Sequence, residues 1–294
     1  MATLIDLVGN TPLVELNKIN PNKNVKILGK LEGNNPGGSV KDRAAYNMIK
    51  SALDRGDIKQ GIKLIEATSG NTGIALAMMA RLFDLEIELV MPENSTRERI
   101  LTMEAFGAKV TLTSAKGSME EARDYALNQV SKGGYFMLNQ FDNPDNYLAH
   151  YKTTGPEIWR DTEGKITHFV SSMGTTGTIM GTSKFLKEKN SQIQIVGCQP
   201  TEGSKIPGIR RWTFEYLPKI YDAKRVDRIM DISEADSRLM TNQLAKVEGV
   251  FAGMSSGGGV SAAIKIASEI ESGIIVCIIC DRGDRYLSSD LFGK

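Results

Sequence analysis

"IKLIEATSGNTGIALAMMARL", residues 62–82, reads as a strand that passes through a glycine turn into a helix. "IKLIEA" at 62–67 is a short apolar run of strand length, and the apolar residues from Thr72 through Leu82 extend over a helical span. Between them lie Thr68, Ser69 and Asn71, hydrogen-bonding side chains placed beyond the carboxyl end of a strand, where open α/β sheets bind ligands. They suit a small carboxylate, and Asn71 also suits a ring substituent.

The same succession recurs downstream. "IELVMP" (87–92) precedes a helix over 95–106, and "KVTLT" (109–113) precedes another from Ser118. It restarts with "THFVSSMG" (167–174), a helix to Lys189 and "IQIVGCQP" (193–200), then closes with "GVFAGMSSGGG" (249–259), a helix over 260–271 and "IIVCIICD" (274–281). Such alternation predicts an α/β chain of parallel sheets covered by helices. With 294 residues, 41% of them apolar, two domains are expected, divided near 140–150 in "NQFDNPDNY".

Lys and Arg number 36 against 35 Asp and Glu, so no whole-chain field favours nucleic acid or an anionic membrane. The opening "MATLIDLVGNTPLVELN" lacks the basic start and apolar stretch of a signal peptide, and no run of about 18 apolar residues predicts a membrane span. Three cysteines, Cys198, Cys277 and Cys280, fit a reducing cytoplasm. Cys277 and Cys280 spell C-x-x-C, yet they fall in the β-branched run "GIIVCIICD", where residues three apart face opposite sides. A redox pair would open a helix instead. His150 and His168 are the only histidines, so no metal site is expected.

Four glycine turns carry chemistry: "NPGGSVK" (35–41), "TSGNTG" (68–73), "GTTGT" (174–178) and "SSGGG" (255–259). In the third, Gly174, Thr175, Thr176, Gly177 and Thr178 offer backbone amides and hydroxyls at a helix start, a phosphate cradle without a Walker lysine. The fourth matches G-x-G-x-x-A through Gly257, Gly259 and Ala262, with Asp281 ending the next strand, as in a dinucleotide fingerprint. Only 13 residues follow Asp281, too few to complete a dinucleotide domain. In the first, Ser39 and Asp42 read as a capping pair for a helix stopped by Gly56, which puts Lys41 in the first turn. A cation there is unfavourable by about 0.3–1 kcal/mol. Either it is solvated or the amine is not a free cation.

Together the turns resemble those of the pyridoxal-phosphate enzymes of the tryptophan-synthase-β type (fold type II), and within them the cysteine synthases. The resemblance runs through "GNTPLVEL" (9–16), "EGNNPGGSVKDRAA" (32–45), "EATSGNTGIALA" (66–77), "NQFDNPDN" (139–146), "TTGPEIW" (153–159), "SSMGTTGTIMG" (171–181), "MSSGGG" (254–259) and "DRGDRYLSS" (281–289), nearly the whole chain. "PGIRRW" (207–212) and "CDRGDRYLS" (280–288) look more like the B branch than the A branch.

The resemblance implies two three-layer α/β/α domains with the active site between them: a smaller, mobile, carboxylate-binding domain over 37–145, and a larger, phosphate-binding one from 1–36 and 146–294. It implies pyridoxal phosphate held by Lys41 as a Schiff base, which relieves the amine of its fixed charge. The 174–178 loop would bind the phosphate, Asn71 the ring oxygen and Ser255 the pyridine nitrogen. Thr68, Ser69, Thr72 and Gln140 would hold the substrate carboxylate. The implied reaction replaces the acetate of O-acetylserine by sulfur, with Lys41 as base, in a cytoplasmic homodimer. Arg210 and Arg211, adjacent in a loop, would suit a dianionic donor such as thiosulfate better than sulfide. Cys280 and Asp281 would line the same pocket. An O-phosphoserine-using enzyme, a cystathionine β-synthase or a dehydratase stands as the alternative. A serine-acetyltransferase-binding role and a nicotinamide oxidoreductase resting on 257–262 stand further off.

Overall fold

The computed structural model describes residues 1–68 and 70–292. In chain order the elements are β1 (Leu13–Glu15), β2 (Val25–Leu31), α1 (Lys41–Asp54), β3 (Lys63–Ala67), α2 (Asn71–Leu82), β4 (Ile87–Pro92), α3 (Arg97–Ala105), β5 (Lys109–Thr113), α4 (Ser118–Ser131) and β6 (Tyr135–Met137). They continue with α5 (Pro144–Lys152), α6 (Thr154–Asp161), β7 (His168–Ser172), α7 (Gly177–Lys189), β8 (Gln194–Pro200), β9 (Arg228–Ile232), α8 (Glu234–Gln243), α9 (Met254–Glu269) and β10 (Gly273–Ile279).

Two sheets form. One has six strands in the order β1-β2-β10-β7-β8-β9, parallel except for the β1–β2 pair; the other has four parallel strands in the order β5-β4-β3-β6. Alternate residues of the central strands enter different cores. Ile275, Cys277 and Ile279 of β10 join Val260, Ala263 and Ile266 of α9, whereas Val276 and Ile278 join Ile158 of α6 and Ile179 of α7. In the smaller sheet Leu89 and Met91 pack with α1 and α2, and Val90 packs with Ala122 and Ala126 of α4. Both faces are covered, which is why these strands read as continuous apolar runs rather than alternating ones. α5 packs between α1 and α7 and so ties the two layers together.

Two local expectations are corrected. "SSGGG" is not a turn: α9 starts at Met254, so Gly257 lies inside the helix. A Cβ on Gly257 would fall 2.3 Å from the Ser237 carbonyl and 2.2 Å from Thr241 Oγ1, so this glycine lets α9 approach α8 rather than cradle a nucleotide. At α1 the Ser39 hydroxyl only grazes the Lys41 N–H, at 3.3 Å, and Asp42 reaches past it to the Gly37 N–H. Ser39 instead bridges the backbone of Asp281.

Candidate active site

Residues that follow β3, β7 and β10 line a common cleft. Its inner cavity is walled by Val40, Lys41, Asn71, Ser172, the 174–178 loop, Gly208, Ser255 and Cys280. An adjoining, more open space shares Lys41, Asn71, Gly174 and Thr175 and adds Thr68, Thr72, Gln140, Phe141, Arg210 and Trp212.

The 174–178 loop is built as an anion cradle at the start of α7. Thr176 adopts a left-handed φ of +70°, and its buried hydroxyl has no hydrogen-bond partner among the described residues. A Cβ on Gly177 would lie 2.1 Å from Asn146 Oδ1, so only glycine fits there. The Thr175 hydroxyl accepts from Asn146 Nδ2 at 3.1 Å, and Thr178 Oγ1 lies 3.3 Å from His150 Nε2. Burial pushes His150 down to about 3, so the ring is neutral and adds no charge. An orphan hydroxyl beside the unpaired amides of a helix start is a site shaped for a phosphate.

Lys41 opens α1 and projects between the two cavities. Burial lowers its amine below the ordinary lysine range, against the pull of Cys280, Asp281 and Glu32. The helix start behind it is fixed by a buried ionic cluster. Arg43 donates to Glu32 at 2.7 and 2.8 Å and to Glu157 at 2.6 and 2.8 Å, while Lys30 pairs with Glu157 at 2.9 Å. Thr11 completes it, its hydroxyl donating to Glu32 at 2.7 Å. One guanidinium therefore joins α1, α6 and the segment after β2.

A family profile described as pyridoxal-phosphate dependent enzyme matches residues 4–281. The chain is 55% identical to cysteine synthase B of Salmonella typhimurium over 100% of its own length and 97% of that protein. It is 57% identical to cysteine synthase B of Pseudomonas aeruginosa, covering 99% of this chain and 97% of that one. Its fold matches the crystal structure of cysteine synthase (OASS) from Entamoeba histolytica with a TM-score of 0.95 at 39% identity, covering 100% of this chain and 91% of that one. The chain belongs to the cysteine synthases, within the pyridoxal-phosphate-dependent enzymes.

The residues of this synthase fit the cofactor. The Thr176 hydroxyl and the α7 amides suit its phosphate, and Lys41, on the wall of the same cavity, suits its aldehyde. Ser255, buried at the start of α9, offers a hydroxyl, and its carbonyl accepts from Ser172 at 2.7 Å. The Cys280 thiol borders the same cavity and is pushed up to about 11 by burial, hence uncharged.

Of the residues expected at the substrate, the structure brings Thr68, Thr72, Gln140 and Arg210 to the outer space. The Thr72 hydroxyl donates to Gln140 Oε1 at 2.8 Å. Ser69 lies outside the described residues. Asp281 does not reach the cavity wall: it is buried behind Asn71, accepting from Asn71 Nδ2 at 2.7 Å and from the Tyr286 hydroxyl at 2.6 Å. Arg285 in turn donates to Asn71 Oδ1, so both ends of that amide are fixed. Arg211 also turns away, donating to the Pro200 carbonyl and pairing with Asp231 of β9. Arg210 alone of the pair faces the cavity, its guanidinium 5.5 Å from the Trp212 ring centroid.

Sequence reasoning passed over Arg43, Glu32, Asn146, Trp212, Arg285 and Tyr286. Arg43 left one usable signal, a charged residue at the buried start of an otherwise apolar helix face.

Proposed function

We propose that the synthase forms L-cysteine from O-acetyl-L-serine and sulfide, and that it also takes thiosulfate, giving S-sulfocysteine. Bound pyridoxal phosphate supplies the electron sink that makes the α-hydrogen of an attached amino acid acidic. Lys41 Nζ, biased toward its neutral form, takes the proton from the substrate α-carbon and later returns it. Thr68, Ser69, Thr72 and Gln140 hold the substrate carboxylate. Asn71, fixed by Asp281 and Arg285, would offer its second Nδ2 hydrogen to the cofactor ring. Ser255 would hold the ring nitrogen with a hydroxyl, a partner too weakly acidic to keep that nitrogen protonated.

The observation that carries the donor assignment is Arg210, an exposed cation at the cavity mouth, stacked on Trp212 and without a carboxylate partner among the described residues. Its loop is anchored to the cradle, since the Trp212 indole donates to the Gly174 carbonyl at 2.8 Å and the Arg210 N–H to the Met173 carbonyl at 3.0 Å. A dianion gains more from that charge than sulfide does. Arg210→Ala is expected to lower kcat/KM for thiosulfate about tenfold and that for sulfide less than about twofold, with Arg211→Ala nearer the parent. Equal losses with both donors contradict the charge assignment. Faster turnover of O-phosphoserine than of O-acetylserine would overturn the acyl substrate.

The same reading puts the enzyme in the cytoplasm, a place supported by three free cysteines, and makes it a homodimer. It also makes 37–145 the unit that closes over 1–36 and 146–294, supported by the separate core of the four-stranded sheet.

A further inference from the structure

Glu66, the penultimate residue of β3, is only 2% exposed and lines neither cavity wall. A buried carboxylate is expensive unless it is fully engaged. Its Oε2 accepts the Asn139 N–H at 2.9 Å and its Oε1 the Gln140 N–H at 3.1 Å. Both donors belong to one turn, in which Asn139 is held at a left-handed φ of +55°. From that turn two lines of contact depart. The Gln140 side chain accepts from the Thr72 hydroxyl, on the side expected to face the substrate. The Gln140 carbonyl accepts from Asn146 Nδ2 at 2.6 Å, and the same amide group donates to Thr175 of the phosphate cradle.

We propose that Glu66 is a positioning residue of the cysteine synthase reaction: by receiving both amide protons it locks the Asn139–Gln140 turn, so that Gln140 is aimed at the substrate carboxylate while Asn146 stays on the cofactor cradle. This rests on the reading that Gln140 holds that carboxylate. Glu66 touches neither substrate nor cofactor and acts through the turn alone. Glu66→Gln keeps the volume but offers one acceptor oxygen, and its amide group opposes the second N–H.

The test compares the holoenzymes of the parent, Glu66→Gln and Gln140→Ala, measuring KM for O-acetylserine, KM for sulfide, kcat and backbone amide exchange over residues 138–146. Glu66→Gln is expected to raise the O-acetylserine KM about tenfold, to leave the sulfide KM within about twofold, and to speed exchange in that segment. Glu66→Asp, which keeps the carboxyl group and withdraws it by one methylene, gives the same pattern at smaller size and serves if the glutamine variant does not fold. A parental KM in the Glu66 variants, with a raised KM in Gln140→Ala, overturns the proposal and leaves the carboxylate site standing; so does a lowered melting temperature with no change in KM. A parental KM in Gln140→Ala overturns the carboxylate site and the proposal with it.

Discussion

Lys41 at the first position of a helix is misplaced as a permanent cation, since the helix start, burial and the adjacent anion cradle all disfavour or compete with its charge. The placement becomes sensible once the amine works in its neutral or bonded form. Thr176 shows the same logic with opposite sign: a buried hydroxyl without a partner, in a left-handed conformation at the start of α7, is a defect in the isolated chain and an asset beside a phosphate. Thr176→Ala is therefore expected to weaken cofactor binding about tenfold, read by titrating the apoprotein with pyridoxal phosphate and following the visible band. An unchanged dissociation constant would remove that hydroxyl from the cradle.

At the level of elements, α1 is held by its charges as much as by its apolar face. Arg43 satisfies two buried carboxylates at once, and its removal leaves Glu32 without a cationic partner and Glu157 with Lys30 alone. Arg43→Met is expected to lose about 3–5 kcal/mol in urea denaturation, with Lys30 still offsetting part of the Glu157 charge. The strands β4 and β5 were legible to the residue, because their apolar runs are bounded by turn signals. β2 and α6 were not. "VKILGKL" carries Lys26 and Lys30 at strand positions, and nothing local announces that Lys30 is a buried partner of Glu157. "SSGGG" misled for a related reason: glycines that admit a neighbouring helix look the same in sequence as glycines that admit a ligand. The turn at 174–178 and the helix that opens with Lys41 were legible because each is contiguous in sequence. The turn of Arg211 toward Asp231, and the retreat of Asp281 behind Asn71, depend on contacts far along the chain.

Over the whole molecule, two sheets with covered faces leave one cleft at their carboxyl ends, and the buried titratable groups around it set the response to pH. His150 is held at about 3, below the ordinary 6.5, chiefly by burial. The unfolded chain thus takes that proton first, so the contribution of His150 is complete above about pH 6.5 and is lost on acidification, by up to about 1.4 kcal/mol per unit. Asp42 and Glu66, pushed up to about 7 by burial, act oppositely: their contribution is present in acid and lost as pH rises through about 7. The difference in stability between parent and His150→Asn, measured from pH 7 to 4.5, is expected to shrink steadily; a constant difference would mean that the ring titrates alike in the folded and the unfolded chain. The cleft as a whole converges on the Lys41 amine, and that atom offers the most direct test. Borohydride reduction of the purified holoenzyme, followed by peptide mass analysis, should place the reduced pyridoxyl phosphate on the peptide containing Lys41 and on no other. A label on a different lysine, or a Lys41→Ala protein that still takes the label and turns over substrate at the parental rate, would contradict the account.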